Sequence, residues 1–134
     1  MLTSLAIRDV VLIERLDLAF GQGLTVLTGE TGAGKSILLD SLGLALGMRA
    51  ESGLVRAGQA QASVAAAFSV AAEHPARAIL VEQGIEAEDE LVLRRVVTAD
   101  GRSRAFANDQ PVGLTLLRRL GALLVEVQLS LIHI

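Results

Sequence analysis

Eight consecutive residues, Gly29-Glu30-Thr31-Gly32-Ala33-Gly34-Lys35-Ser36, hold the most specific chemistry in the chain. Their spacing matches G-x-x-x-x-G-K-[ST], the phosphate-binding loop, at every fixed position. Glycines at 29, 32 and 34 let the backbone curl so that successive N–H groups face phosphate oxygens. A helix opening at about Lys35 adds its unpaired amide donors and the positive end of its dipole. The Lys35 ammonium then reaches the β- and γ-phosphates, and the Ser36 hydroxyl is the expected ligand for Mg²⁺.

Those residues need a strand before them and a helix behind them. Leu24-Thr25-Val26-Leu27-Thr28 reads as a buried strand entering the loop, and Ile37, Leu38, Ser41, Leu42 and Ala45 form the apolar or small face of a helix. The motif alone would arise by chance in roughly one chain of this length in two hundred. Its strand–loop–helix setting makes an idle glycine turn less credible still. Lys35 is also the only lysine, against eleven arginines. A compact ammonium fits beside phosphates inside such a loop, and a wide planar guanidinium does not replace it freely.

Composition limits the alternatives. With 134 residues, 51% of them apolar, the chain can bury a core as one domain or part of one. Three Phe and no Trp or Tyr make that core aliphatic and remove aromatic base stacking as a main binding mode. The absence of cysteine excludes disulfides, thiolate catalysis and Cys-based metal sites, and it fits a reducing compartment. A net charge of −3 does not mark a nucleic-acid binder, so the arginine pairs at 94/95, 102/104 and 118/119 are read as solvated faces. No segment has the roughly 18 uninterrupted apolar residues of a membrane span, and Arg8, Asp9, Glu14 and Arg15 break any secretion-signal layout. A soluble cytoplasmic protein without a membrane partner is the expectation.

Along the chain, residues 2–7 and 11–20 alternate as strands, with a bend at Arg8-Asp9 and a phase slip near Glu14-Arg15 that a bulge would explain. Gly21-Gln22-Gly23 is a turn. The helix after the phosphate loop runs to about Leu46 and ends at Gly47, and residues 48–58 form a surface loop. A strand follows at 61–70, then a short helix from His74-Pro75 to Gly84, with His74 in the cap region rather than at a metal. The acidic run 86–90 reads as a solvated loop. Residues 91–98 and 103–107 form a hairpin around the Asp100-Gly101 turn, and Asn108-Asp109 makes a second turn. A helix is expected over 112–120 and a buried strand over 122–127. Two strands ahead of the phosphate loop, joined as antiparallel neighbours, and a β-rich stretch behind it differ from a simple doubly wound sheet. The expected fold is α/β: a P-loop NTPase of the ATP-binding-cassette (ABC) type, in which an antiparallel β subdomain accompanies the nucleotide-binding core.

Residues 1 to about 127 also resemble the N-terminal ATPase lobe of the RecN family, bacterial DNA-repair ATPases related to the structural-maintenance-of-chromosomes (SMC) proteins. The resemblance is carried by residues 24–36, by 40–47 with Arg49-Ala50-Glu51, and by Val55-Arg56-Ala57-Gly58. It continues through Leu93-Arg94-Arg95-Val96 and residues 100–106. It implies an ATP- and Mg²⁺-binding lobe that joins a C-terminal lobe into one head, heads that pair as a homodimer around ATP, and DNA contacted through the full-length protein. It also implies that Arg56 approaches the nucleotide phosphates. No serine-glycine signature loop and no apolar strand ending in Asp-Glu occurs here, so no catalytic residue is assigned. The lobe is expected to bind ATP with negligible turnover.

Residues 128–134, Gln128-Leu129-Ser130-Leu131-Ile132-His133-Ile134, depart from the family's His-Gly-Gln-His run, and neither Gln128 nor His133 takes a role from it. They form a separate tail after the 1–127 lobe. Three other readings compete: a nucleotide-binding subunit of an ABC transporter, a P-loop kinase or GTPase, and a non-functional truncated fragment. The missing Asn-Lys-x-Asp guanine-reading motif and the two leading strands weigh against the kinase or GTPase reading.

Overall fold

A computed structural model describes residues 2–19, 32–50 and 53–132, with side chains described over 2–19, 37–50 and 53–125. The strand expected at 24–28 and the turn at 21–23 lie outside the described residues. The described strands are β1 (Leu2–Val10), β2 (Ile13–Ala19), β3 (Gln61–Ser69), β4 (Glu90–Thr98), β5 (Ser103–Ala107) and β6 (Gln110–Val112). They form one antiparallel sheet in the order β2-β1-β3-β4-β5-β6. The helices are α1 (Gly32–Ala45), α2 (Pro75–Glu82) and α3 (Leu114–Ile132). α1 packs on β1, β3 and β4, α3 packs on β5, and α2 packs against α3.

Period-two alternation builds the core face of the sheet. Leu5 and Ile7 of β1 lie beside Ala66 and Val64 of β3, which lie beside Leu93 and Arg95 of β4. All of them are buried. The phase slip expected near Glu14-Arg15 involves no bulge, because the β1–β2 pairs keep one register from Ser4–Ala19 through Arg8–Arg15 to Val10–Ile13. Asp9 has φ 53°, which turns the chain so that Ile7 and Val10, three apart, are both buried. The expected bend at Arg8-Asp9 is therefore a kink inside β1 rather than its end.

Turn chemistry sets the other end of the sheet. Asn108 and Asp109 both have positive φ, 46° and 67°, as a two-residue hairpin requires. The Asn108 carboxamide accepts from the Val92 N–H at 2.8 Å and donates to the Glu86 and Glu90 carbonyls at 2.9 and 3.3 Å. This hairpin creates β6, which the sequence reading had missed by placing a helix start at Val112.

The second correction concerns α3. The helix expected over 112–120 and the strand expected over 122–127 are one helix from Leu114 to Ile132. Leu117, Leu120 and Leu124 recur at helical spacing and are buried, so one apolar stripe runs straight through Gly121. Gly121 is small for a packing reason. A Cβ there would stand 2.6 Å from the Leu46 carbonyl oxygen and 3.0 Å from Leu46 Cα.

That close approach belongs to the anchoring of α1. Gly47 (φ 98°) follows the helix; its N–H donates to Leu44 O at 3.1 Å, and the Met48 N–H donates to Gly43 O at 2.9 Å. These two bonds make a Schellman cap. Arg95, only 2% exposed, donates from Nη1 to the carbonyls of Leu44 and Met48 at 3.2 and 2.8 Å, and its Nε donates to the Ser103 hydroxyl. Burial first, and then the charge of Arg118, pull the Arg95 pKa down. Arg118 of α3 donates from Nε to Gly47 O at 3.0 Å. Two guanidiniums thus occupy the negative end of the α1 dipole and the carbonyls just beyond it.

α2 starts as its sequence requires. His74 is the N-cap, its Nδ1 accepting from the Ala76 N–H at 3.0 Å, and Pro75 fills the first turn. Arg77 ties the helix to its surroundings, donating to the Val70 and Ala87 carbonyls at 2.6 Å each and to Ala71 O at 3.3 Å.

Two outcomes follow for stability. Gly121→Ala gains about 1 kcal/mol of helix propensity but forces a backbone contact of a kind that costs about 1–3 kcal/mol. A net loss is expected in a urea titration. His74 must be neutral to accept at Nδ1, and burial, more than the nearby Arg77, lowers its pKa from 6.5. The unfolded chain then binds more protons in that window, so stability rises with pH. The His74 contribution is complete above pH 6.5 and is lost as pH falls through the lower folded value. His74→Asn, which keeps an acceptor without titrating, should remove that slope from denaturation curves measured between pH 5 and 8.

Candidate functional site

Every residue of the phosphate-loop motif was assigned from sequence. Gly29, Glu30 and Thr31 lie outside the described residues. Gly32, Ala33, Gly34, Lys35 and Ser36 are the opening of α1, which begins at Gly32, three residues earlier than expected. The shift has a chemical consequence. The N–H groups at the start of an α-helix have no intrahelical acceptor, and among the described residues these belong to Gly32, Ala33 and Gly34. The motif's second half therefore contributes helix N-terminal donors. The side chains of Lys35 and Ser36 lie outside those described.

Arg56 sits in the loop between α1 and β3, against the kinked end of β1. Its N–H donates to Asp9 O at 2.8 Å, the Val11 N–H donates to Leu54 O at 2.8 Å, and Val10 bridges Val55. The side chains follow the backbone: Arg56 Nη1 lies 3.6 Å from Asp9 Oδ1, with both groups about a third exposed or less (33% and 27%). Among the described residues the Arg56 guanidinium makes no hydrogen bond. It lines a cleft of about 760 Å³ with Arg49, the glycine-containing segment 53–59 and the β4–β5 turn at 97–101.

The β4–β5 turn is closed on itself. The Asp100 carboxylate accepts from the Thr98 hydroxyl and from Arg102 Nε and Nη2 at 3.1 and 2.9 Å, and these bonds lower its pKa. Asp100-Gly101-Arg102, part of the run that carried the family resemblance, thus has local structural work. Arg94 stands 4.2 Å over the Phe106 ring on the sheet face away from α1. Among the described residues no cluster of His, Asp and Glu could hold a metal ion. No described helix is long and apolar enough to cross a membrane.

Sequence reasoning missed two residues. Asp9 was read as part of a bend, and its partner 47 positions away left no local signal. Arg95 was assigned to a solvated face. It shares the phase of Leu91, Leu93 and Val97, so its position on the core face was legible in the alternation.

Comparison with known proteins gives a consistent picture. Residues 4–113 match the family described as AAA domain. Over 130 residues the chain is 43% identical to DNA repair protein RecN of Haemophilus influenzae, covering 95% of this chain and 23% of that protein. RecN of Bacillus subtilis is 42% identical over 128 residues, covering 95% and 22%. The chain thus spans about a quarter of the length of these curated relatives. Among solved structures, an SMC ATPase from work on ATP-driven dimerization and DNA-stimulated activation superposes with a TM-score of 0.72 at 26% identity. That match covers 92% of this chain and 79% of the other.

Proposed function

The chain belongs to the AAA-domain family, and we propose that it is the triphosphate-holding lobe of a RecN-like ATPase acting in DNA double-strand-break repair. One observation carries the reading: the matched motif runs into a helix whose free amide donors include those of Gly32, Ala33 and Gly34. Gly29, Glu30 and Thr31 complete the loop, Lys35 neutralises the outer phosphates, and Ser36 supplies a hydroxyl to Mg²⁺. Arg56 adds a second cation, on the strength of the family resemblance of Val55-Arg56-Ala57-Gly58. Bound Mg²⁺ would offset charge that develops on the phosphate oxygens. The relatives are named for DNA repair, and their length leaves room for a second lobe beyond the quarter that this chain matches.

In that setting the lobe binds ATP, a C-terminal lobe completes the head, and two heads pair around the nucleotide. Hydrolysis then needs groups from those partners, and DNA is handled by the whole protein in the bacterial cytoplasm, at the nucleoid. Leu39 of α1 and Met48 just beyond its end are exposed large apolar side chains, as a lobe that meets a second one would have.

Mg-ATP titration calorimetry tests the reading. The chain should bind, and Lys35→Ala should weaken binding roughly ten- to a hundredfold, the loss of a charge-assisted contact of about 1.5–3 kcal/mol. Turnover by the chain alone should stay far below the roughly one per second at the low end of typical enzymes. Binding unaffected by Lys35→Ala would sink the proposal.

A further inference from the structure

The chain has a net charge of −3, yet its charges are unevenly spread over the two faces of the sheet. α1 lies on one face, where Arg95 of β4 reaches it. Residues that alternate to the other face form two rows across the strands. In one row Arg15 pairs with Arg8, Arg8 with Ser63, Ser63 with Val96, and Val96 with Arg104. In the next, Asp17 pairs with Ala6, Ala6 with Ala65, Ala65 with Arg94, and Arg94 with Phe106. Against these arginines stands Asp17. Glu90, which shares the phase of Arg94, lies at the start of β4, about 13 Å further along the strand.

Most of this positive charge is uncommitted. Arg8 and Arg15 divide one carboxylate, with Arg8 Nη1 at 2.8 Å and Arg15 Nε at 3.2 Å from the two oxygens of Asp17. The Arg15 side chain is still 70% exposed. Among the described residues Arg94 and Arg104 form no ion pair. Arg104 is exposed, and Arg94 lies over the Phe106 ring, which fixes its guanidinium while leaving the in-plane N–H donors free. Between the flanks the floor is Ala6, Ala65 and Ser63, short side chains that do not hold a bulky polyanion away from the guanidiniums. Arg15 and Arg104 stand four strand spacings apart, about 19 Å.

We propose that this face of the sheet is a contact surface for the phosphate backbone of duplex DNA, with Arg15, Arg94 and Arg104 as its cations. The inference deepens the DNA side of the proposed function and rests on that reading for the choice of polyanion. Each guanidinium can offer a phosphate two parallel donors. The flanks span more than the roughly 12 Å of a major groove, so they reach the backbones on both of its sides. A duplex fits better than a single strand, because single-strand binders stack bases on open aromatic rings. Here the Phe106 ring is already covered by Arg94, and the chain has no Trp or Tyr. Contacts to phosphate alone make the binding independent of base sequence.

Fluorescence anisotropy of a short labelled duplex of mixed sequence, titrated with the chain between about 50 and 200 mM salt, tests this. The wild type should bind with a Kd of roughly 1–100 µM, the range of sequence-independent contacts. Arg15→Gln and Arg104→Gln, at exposed positions, should each weaken binding roughly three- to tenfold. Each should also lower the slope of log affinity against log salt by about 0.9, and the double variant by about twice that. Arg119→Gln is the control: α3 packs on the α1 side of the sheet, so binding should be unchanged. The proposal is overturned by a folded wild type that binds no duplex, or by Arg15→Gln and Arg104→Gln variants that bind as the wild type does. An equal loss in Arg119→Gln also overturns it, since that would be a bulk charge effect. So does tighter binding of a single strand of the same sequence, or loss of the fold in both Arg15→Gln and Arg104→Gln, read by thermal melts. Mg-ATP binding that depends on Lys35, without duplex binding, leaves the ATP-binding reading standing and removes only this inference. Duplex binding that depends on Arg15 and Arg104, without Mg-ATP binding, supports this inference and removes the other reading.

Discussion

The fold depends on how the C-terminal end of α1 is held. A helix end presents carbonyls that need donors, and here it is buried between a sheet and a second helix where water cannot serve them all. The Schellman bonds at Gly47 satisfy part of the need. Arg95 reaches up from the sheet and Arg118 across from α3 to satisfy more. Because α1 is a rigid rod, fixing this end on the sheet also fixes where its first turn points. The amide donors of Gly32, Ala33 and Gly34 are thus aimed by contacts at the opposite end of the helix.

Burying Arg95 has an electrostatic cost that its partners must offset. Removing a guanidinium from water is unfavourable, and the like charge of Arg118 adds to it, as the lowered pKa reflects. The carbonyls of Leu44 and Met48 and the Ser103 hydroxyl return hydrogen bonds to a charged donor, which are stronger than neutral ones. The site also specifies register. A one-residue slip of β4 would turn Arg95 to the outer face and leave the carbonyls of α1 without it. Small residues on both sides, Ser41 and Ala45 on α1 with Ala62 and Ala66 on β3, are fully or almost fully buried, which suits a helix lying close to the sheet.

How much of this was legible depends on whether a signal was local. The Asp100-Gly101 hairpin and the His74-Pro75 helix start were read correctly because their turn and cap chemistry lies within a few residues. The antiparallel pairing of the two leading strands was likewise legible, because their connection is too short for a crossover. α3 was split because a glycine inside an apolar run is usually a stop, and here Gly121 is instead a contact with Leu46. β6 is three residues long, too short for alternation to reveal. In the candidate site the phosphate loop was fully legible as a motif, whereas the Asp9–Arg56 clasp joins distant segments and needed coordinates.

The distribution of cations makes a final argument about the site. Five arginines spend their donors on structure: Arg77 on three carbonyls, Arg95 and Arg118 on the end of α1, and Arg8 and Arg102 on aspartates. Planar, always-charged guanidinium suits such fixed carbonyl and carboxylate work, and the chain uses it there repeatedly. The one lysine is kept for the phosphate loop, where a flexible point charge is needed. Arg56 fits neither group. Its main chain is hydrogen-bonded to Asp9, and among the described residues its side chain has the Asp9 carboxylate beside it at 3.6 Å.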